Sequence, residues 1–438
     1  MATIDIHNLG PISKYHMDIK KFNLLIGEQA TGKSTISKCI YFFRMIKSEL
    51  VEHLYSFATD PDYARENWFP RALNKPMKNI FVQLFGFSWD LDQNLYLSYH
   101  FTKDVDIKVS LEVGRSGKQY IGIHYSDYLK ESAKRLEDML KKTYQNETYS
   151  YFSFTTLERA RLHREISEKV NDLFNDKYET YYIPAGRQLL TLLASQKTKL
   201  DYGSIDLVNR KFMQFNESIQ SMFEHGILNV HKFYPIPNRK FDTGRVSAEI
   251  KAGLKGDYRV TSTGERLRLD NGNDIPVNYA SSGQQEILWL YNQLYILMLR
   301  EEKAFVIIEE PEAHLYPALQ KAVIEFIAQF SNLNQSTVLV TTHSPYVLTA
   351  ANVLHYAGRL GKKYGNQVGR VVGKDKWIAP DEFTAFKLEQ DEQGHTSAEL
   401  LVDDETEELR TSLIDEISNK IGETYTKLYY LEVDNEDT

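Results

Sequence analysis

One eight-residue stretch constrains this chain more than any other. Gly27-Glu28-Gln29-Ala30-Thr31-Gly32-Lys33-Ser34 sits between the apolar run Phe22 to Ile26 and a segment of helical character from Thr35 to Leu50. The pattern G-x-x-x-x-G-K-[ST] between a strand and a helix reads as a phosphate cradle. Its glycines let backbone N–H groups turn inward around phosphate oxygens, and the following helix presents a positive N-terminus. Gly27, Gln29, Ala30, Thr31, Gly32, Lys33, Ser34 and Thr35 are therefore the expected nucleotide contacts. Lys33 would reach the β- and γ-phosphates of ATP, and the Ser34 hydroxyl would ligate Mg²⁺.

Three further motifs lie late in the chain. Phe305-Val306-Ile307-Ile308 reads as a buried strand that ends in Glu309-Glu310-Pro311-Glu312. A strand of this kind delivers two carboxylates to a sheet edge, Glu309 for the Mg²⁺ shell and Glu310 as general base toward water. Val338-Leu339-Val340-Thr341 is a second apolar strand, followed by Thr342-His343-Ser344, whose histidine can bond the γ-phosphate or the attacking water. Ala280-Ser281-Ser282-Gly283-Gln284-Gln285-Glu286 opens an apolar helix running to about Arg300. Serine and glycine at a helix start form a second anion site. In isolation this segment reads as a plain N-cap; beside the other motifs, since one nucleotide does not need two cradles in one chain, Ser281, Gly283 and Gln284 are expected to serve the nucleotide of a partner subunit.

Composition removes several alternatives. The longest apolar stretch, Ile287 to Leu299, contains Asn292 and Gln293, and a membrane span needs about 20 apolar residues, so it reads as a buried helix. The start MATIDIHNLG lacks the basic and apolar regions of a secretory signal. Cys39 is the single cysteine, which excludes an intrachain disulfide and a cysteine-based zinc site. A cytoplasmic protein is expected. The net charge is −8, and the segment from Asp403 onward, with twelve acidic and three basic residues, carries −9, leaving the rest near neutral. An acidic tail of this kind is not a nucleic-acid contact.

Between the motifs, Asn94 to Tyr125 alternates as two or three antiparallel strands, with a turn near Gly114 and Gly117. Asp127 to Asn146 and Thr156 to Tyr178 are charged and helical in pattern. Val246 to Val277, punctuated by Gly253, Gly256, Gly264 and Asn271-Gly272, reads as a second strand-rich patch. A helix is expected near Pro317 to Phe330. Leu409, Leu413, Ile417, Ile421 and Tyr425, widened by Ile414 and Leu428, form an apolar stripe that packs on the chain's own core or on a partner. No internal repeat and no sustained heptad run is visible.

Taken in order, the four motifs resemble those of the ABC-ATPase superfamily: phosphate loop, signature, acidic strand and switch histidine. Ser281-Ser282-Gly283-Gln284 is a variant of the family's L-S-G-G-Q signature, with Ala280 and Ser282 replacing Leu and Gly. Glu309 stands where the family usually has Asp. With Glu-Glu-Pro-Glu-Ala-His from 309 to 314, these departures resemble the branch of SMC-like, RecF-like and overcoming-lysogenization-defect (OLD) ATPases. Tyr182-Ile183-Pro184-Ala185-Gly186-Arg187, the Ile12 to Leu25 entry and the Ala-Ser-Ser-Gly-Gln-Gln run are similar to stand-alone ATPase subunits of bacterial anti-phage systems of the Septu, retron-associated and PARIS types. Arg187 is read either as a surface residue or as a nucleotide or lid contact. Gln83 and Gln188 are both candidates for the family's Q-loop glutamine. No Toprim-like D-x-D and no H-N-H pattern is found, so a nuclease or toxin would be a separate chain.

The resemblance implies an α/β ABC-ATPase head with a discontinuous P-loop core (1–50 and 275–350), an inserted antiparallel β lobe and helical lid (51–274), and a C-terminal extension with an acidic amphipathic helix (351–438). It implies Mg-dependent ATP hydrolysis by a head-to-tail dimer or higher oligomer, with Lys33, Glu310 and His343 as the catalytic set. Three function classes follow: an ATPase controlling a separate effector in anti-phage defence, a repair or recombination ATPase clamping DNA, and a scaffold that retains ATP without turnover. Nucleic acid stays open as a partner, with Lys197, Lys199 and Lys251 to Arg259 as the basic candidates. A membrane partner is not expected.

Overall fold

The apolar runs that precede the three polar motifs become parallel strands with both faces covered. The structure is a computed structural model and describes residues 2–86, 94–114, 117, 119–144, 155–194, 203, 205–233, 241–403, 407–410 and 426. The chain begins with β1 (Thr3–Leu9), β2 (Ile12–Asp18) and β3 (Phe22–Gly27), followed by α1 (Lys33–Thr59), α2 (Pro61–Glu66) and α3 (Arg71–Phe85). Three strands and two helices come next: β4 (Tyr96–His100), β5 (Asp106–Val113), β6 (Gln119–Tyr125), α4 (Asp127–Tyr144) and α5 (Thr156–Phe174). Then follow β7 (Glu179–Ile183), α6 (Arg187–Ala194), α7 (Leu207–Ile219), α8 (Ile227–Val230) and α9 (Thr243–Leu254). The small strands β8 (Gly256–Thr261), β9 (Gly264–Leu269) and β10 (Asp274–Pro276) precede α10 (Ser282–Arg300). The last elements are β11 (Ala304–Glu309), α11 (Pro317–Leu333), β12 (Thr337–Thr342), α12 (Pro345–Val371), β13 (Phe383–Gln390) and β14 (Thr396–Leu400).

Eleven strands form one sheet in the order β6-β5-β4-β1-β2-β14-β13-β3-β12-β11-β7. From β13 to β7 every neighbouring pair is parallel. Parallel strands need cover on both faces and therefore continuous apolar sequence; β11 and β12 are buried at all six positions. Alternate side chains enter two cores. Leu25, Phe305, Ile307, Leu339 and Leu388 pack with α1 and the antiparallel strands, while Leu24, Val306, Ile308, Val338, Val340 and Ala385 pack with α7, α9, α10 and α11. The antiparallel strands β4, β5 and β6 join this sheet through β1. A separate three-stranded sheet holds β8, β9 and β10.

Two elements differ from the sequence reading. The first part of the stretch from Val246 to Val277 is helical: α9 is capped by Asp242, which accepts from Arg245 N–H, and it buries Val246, Ile250 and Leu254 at four-residue spacing. Helical spacing of the apolar residues outweighs the glycine in the interior, and Gly253 is there because a Cβ would lie 2.8 Å from the Tyr291 ring. The second difference is the hairpin β1–β2, whose Ile4 and Ile6 alternate with Asp5 and His7 and which turns through Gly10 and Pro11, with Asn8 near the end of β1 and Gly10 both at positive φ. α4 and α5, which the sequence reads as exposed or lid-like helices, pack their apolar faces on α1. Of the expected apolar stripe in the tail, Leu409 is described: it is buried and bridges to Val402. The residues from Leu413 to Leu428 that carry the rest of the stripe lie outside the described residues, as do Lys197 and Lys199.

A buried charge cluster seats α1 against the sheet. Arg44 Nη1 lies 2.8 Å from Asp176 Oδ2, and Lys47 Nζ lies 3.7 Å from Asp176 Oδ1. Lys47 also donates to the carbonyls of Asp176 and Tyr178, and Arg44 donates to Thr180 and covers the Phe305 ring. Burial pushes the Asp176 carboxyl up, and the Arg44 and Lys47 charges more than reverse this, leaving it below its ordinary value. Asp176→Asn leaves two cations without their counter-ion, so a loss of about 3–5 kcal/mol is expected in urea unfolding at neutral pH. The folded carboxyl is the stronger acid, so the stabilisation is complete above about pH 4 and disappears as pH falls through the lower folded value. The gap between wild type and variant should close over that acid range.

Candidate nucleotide site

Four neighbouring parallel strands each deliver one motif to the same edge of the sheet. Register places Ile26 beside Thr342, Thr341 beside Glu309, and Ile308 beside Ile183. The residues just beyond these strand ends are thus the phosphate loop, His343, Glu310 and the turn leading to Arg187. The C-terminal edge of a parallel sheet is where α/β proteins bind ligands.

The phosphate loop spans the gap between β3 and α1. Ala30 and Gly32 are at positive φ, 63° and 85°. Gly27 permits a close approach, since a Cβ there would stand 2.4 Å from the Leu388 carbonyl of β13. Gly32 is packed against Pro11 and Ile12 of the β2 entry. Gln29, Ala30 and Ser34 are exposed, Thr35 is half-buried, and Thr31 donates its hydroxyl to the Glu28 carbonyl at 2.9 Å. No acidic residue lies in the first turn of α1, so its helix dipole is left to an anionic ligand. Lys33 is almost fully buried and folds back over the loop, donating to the carbonyls of Gly27 at 2.8 Å and Glu28 at 2.6 Å. One contact was not legible in the sequence: Gln390 at the end of β13 donates to the Ala30 carbonyl at 3.0 Å.

Lys33, His343 and Glu310 form a continuous line. Lys33 Nζ lies 3.3 Å from His343 Nδ1, and His343 Nε2 lies 2.7 Å from Glu310 Oε1. Glu312, given no role in the sequence reading, accepts from the Thr342 hydroxyl at 2.6 Å and from the His343 N–H at 2.9 Å, and so orients the histidine. Glu310 has φ +43°, a left-handed conformation costly for a residue with a Cβ. The Glu310 N–H donates to Thr341 across the strand end at 2.9 Å. Burial pushes the Lys33 ammonium below its ordinary value, opposed by the charges of Glu310, Glu312 and Glu309. Three carboxylates around one lysine give the site a surplus of negative charge, which suits a divalent cation. Glu309 is buried, and its Oε1 lacks a hydrogen-bond partner. The nearby Tyr182 phenol is held well above its ordinary value by burial and then by the Glu309 carboxylate. Among the described residues no group of three or more His, Cys, Asp or Glu could hold a metal. The unpartnered Glu309 Oε1 suits a metal partner, and Ser34 and Glu309 are the residues that would hold Mg²⁺.

The signature residues open α10. Ser281 caps α10 in a capping box with Gln284, accepting from the Gln284 N–H while the Gln284 side chain accepts from Ser281. Gln284 Nε2 also donates to the Leu254 carbonyl at the end of α9. A Cβ on Gly283 would lie 3.0 Å from the His314 carbonyl. Among the described residues no hydrogen bond joins Ser281, Gly283 or Gln284 to the phosphate loop. Of the two Q-loop candidates, Gln83 lies on α3 and accepts from Arg210, whereas Gln188 is the second residue of α6 and donates its N–H to Glu286. Arg187 is neither a surface residue nor a lid contact: it is fully buried behind the acidic strand. In the Lys251 to Arg259 stretch, Lys251 faces Asp270 at 3.7 Å and Arg259 faces Asp274 at 2.5 Å.

A phosphate loop, an acidic strand end and a histidine on adjacent parallel strands define a P-loop ATPase of the α/β class. Residues 1–348 match the AAA_15 family, an AAA ATPase domain, and the chain belongs to that family. No curated protein matches it. Among solved structures, an SMC head bound to the C-winged helix domain of ScpA is similar at 13% identity over 91% of this chain and 96% of that one, with a TM-score of 0.42. The SMC head domain from Thermotoga maritima is similar at 10% identity over 91% and 97%, with a TM-score of 0.38. An Smc head domain with an extended coiled coil, bound to the C-terminal domain of ScpA derived from Pyrococcus furiosus, is similar at 11% identity over 92% and 96%, TM-score 0.38. Among the described residues no helix is long and apolar enough to cross a membrane.

The close approach of β13 predicts the effect of one methyl group. Gly27→Ala must push the loop away from the Leu388 carbonyl, with a stability loss of about 1–3 kcal/mol by thermal unfolding. Titration with a fluorescent ATP analogue should show binding weakened by at least about tenfold, since the donors no longer converge on one phosphate position.

Proposed function

We propose that the protein binds and hydrolyses Mg-ATP, closes into a head-to-tail dimer on the nucleotide, and through that switch controls a separate effector in bacterial anti-phage defence. The observation that carries the catalytic part is the Lys33–His343–Glu310 line at the mouth of the phosphate loop. Glu310 is partly exposed, its side chain retaining 36% of its accessible surface, so water can reach the carboxylate that is to accept its proton. His343, held by Glu312, orients that water or the γ-phosphate. Lys33 exchanges its present carbonyl partners for phosphate oxygens. Ser34 and Glu309 would hold Mg²⁺, which when bound neutralises charge on the β- and γ-phosphates.

The dimer reading rests on the signature residues Ser281 and Gly283, which among the described residues share no hydrogen bond with the phosphate loop of their own chain. A capped helix start with an exposed serine can receive an anion. A second copy docked head to tail gives each signature a nucleotide. Release of the γ-phosphate removes the bridge, which makes the assembly a switch. The defence assignment draws on the resemblance of the Tyr182 to Arg187 and Ala280 to Gln285 segments, and the effector is a separate chain in the cytoplasm.

Light scattering with and without Mg-ATP, with phosphate release recorded in parallel, tests this on wild type and Glu310→Gln. The variant should release phosphate about 10²–10⁴ times more slowly and accumulate as an ATP-dependent dimer or larger species. One unchanging size for both proteins, with undiminished hydrolysis by the variant, would refute the assignment.

A further inference from the structure

Arg187 was not part of the catalytic set, yet its guanidinium lies at the centre of the site's scaffold. Its Nε donates to the Glu286 carbonyl at 2.9 Å and sits 3.1 Å from Glu286 Oε2. Nη1 donates to the carbonyls of Pro184 at 2.7 Å and Glu309 at 2.8 Å, and Nη2 donates to the Glu310 carbonyl at 2.9 Å. The Glu286 Oε1 accepts from the Gln188 N–H at 3.1 Å. Both charged side chains are fully buried. The planar fork of arginine thus fastens three segments that are distant in sequence: the β7–α6 turn, the end of β11, and the first turns of α10. Two of the carbonyls it holds belong to the residue assigned to Mg²⁺ and the residue assigned as base.

We infer that Arg187 and Glu286 are a positioning pair that couples the acidic strand end of a subunit's own nucleotide site to the signature helix with which that subunit serves its partner's site. The inference rests on the dimer reading above. Glu286 lies three residues beyond Gly283 on α10, and Gly283 itself packs on the His314 carbonyl of the loop that follows β11. A shift of α10 toward a nucleotide bound by the partner therefore moves Glu286, and Arg187 transmits the shift to the carbonyls of Glu309 and Glu310. Glu310 is responsive because its left-handed backbone is held by that guanidinium bond on one side and the Thr341 bond on the other. Backbone held in such a region persists only while its surroundings over-determine it. Closure on two nucleotides would then set the base in each subunit at once. A brace that acts only through stability would lack this directional effect.

The test uses the full chain with Arg187→Lys, Glu286→Gln and the double variant. Glu286→Gln keeps the side-chain size, so it carries the decision should Arg187→Lys not fold. Thermal midpoint, affinity for a fluorescent ATP analogue, and kcat for phosphate release are measured together. The expected result is an analogue Kd within about threefold of wild type with kcat lowered about 10- to 100-fold, since displaced catalytic groups cost turnover and spare ground-state binding. The double variant should be no slower than the worse single one, as for two residues acting as one unit. Unchanged kcat in a folded Glu286→Gln overturns the inference, and so does a parallel loss of affinity, turnover and thermal midpoint. If wild type itself neither releases phosphate nor changes size with Mg-ATP, the dimer reading has failed, and the coupling falls with it.

Discussion

Burial of β3, β12 and β11 on both faces is the constraint from which the site follows. Such strands admit no polar side chain along their length except where a partner is provided, so polar chemistry is pushed to their ends. Because the strands are parallel and adjacent, their C-terminal ends converge along one edge. Lys33 of the phosphate loop and His343, 310 residues apart, are thereby brought within hydrogen-bonding distance, and Glu310 bonds the same histidine. The two cores that cover the sheet, one built around α1 and the other around α10, hold this edge rigid from both sides.

The hairpin of β13 and β14 joins the two halves of the sheet. β13 pairs with β3 in parallel, and β14 meets β2 at Thr396 beside Ile12. The phosphate loop is thus pressed between the C-terminal part of the chain and the strand beyond it, with Gly27 against Leu388 and Gly32 against Pro11 and Ile12. Gln390 extends this contact to the Ala30 carbonyl. A loop fastened on both sides presents its N–H groups in a preformed array, which lowers the ordering cost of binding phosphate.

Electrostatics divides the site into a positive loop and a negative strand end. The positive side consists of the α1 N-terminus and Lys33; the negative side contains Glu309, Glu310 and Glu312. Lys33 and His343 bridge the two. Behind them, Arg187 supplies the positive charge that the buried Glu286 and the strand-end carbonyls require. The charged residues exposed to ligand and those buried as scaffold therefore have separate partners, which lets the former rearrange while the latter hold position.

The phosphate loop, the acidic strand, the histidine strand and the signature helix were legible because each is a local pattern: a strict spacing of glycines, an apolar run with a polar end, or an N-cap before a helical period. Phe305 to Ile308 and Val338 to Thr341 could be read as strands for the same reason, and the α/β class followed from their order. The part of α9 from Val246 to Leu254 differs from the strand reading because turn residues cluster around a helical apolar period. Arg187, Glu312 and Gln390 could not be assigned from sequence, since their partners lie far along the chain and an isolated charged or amide residue carries no periodicity. Nor did any local pattern indicate that β13 would lie against β3. Local sequence determined which segments form the glycine loop, the acidic strand end and the capped helix start, through short-range backbone and capping preferences. Only the tertiary structure decided which segments meet and which charges are buried, because pairing across a sheet and burial in a core depend on contacts between residues far apart in the chain.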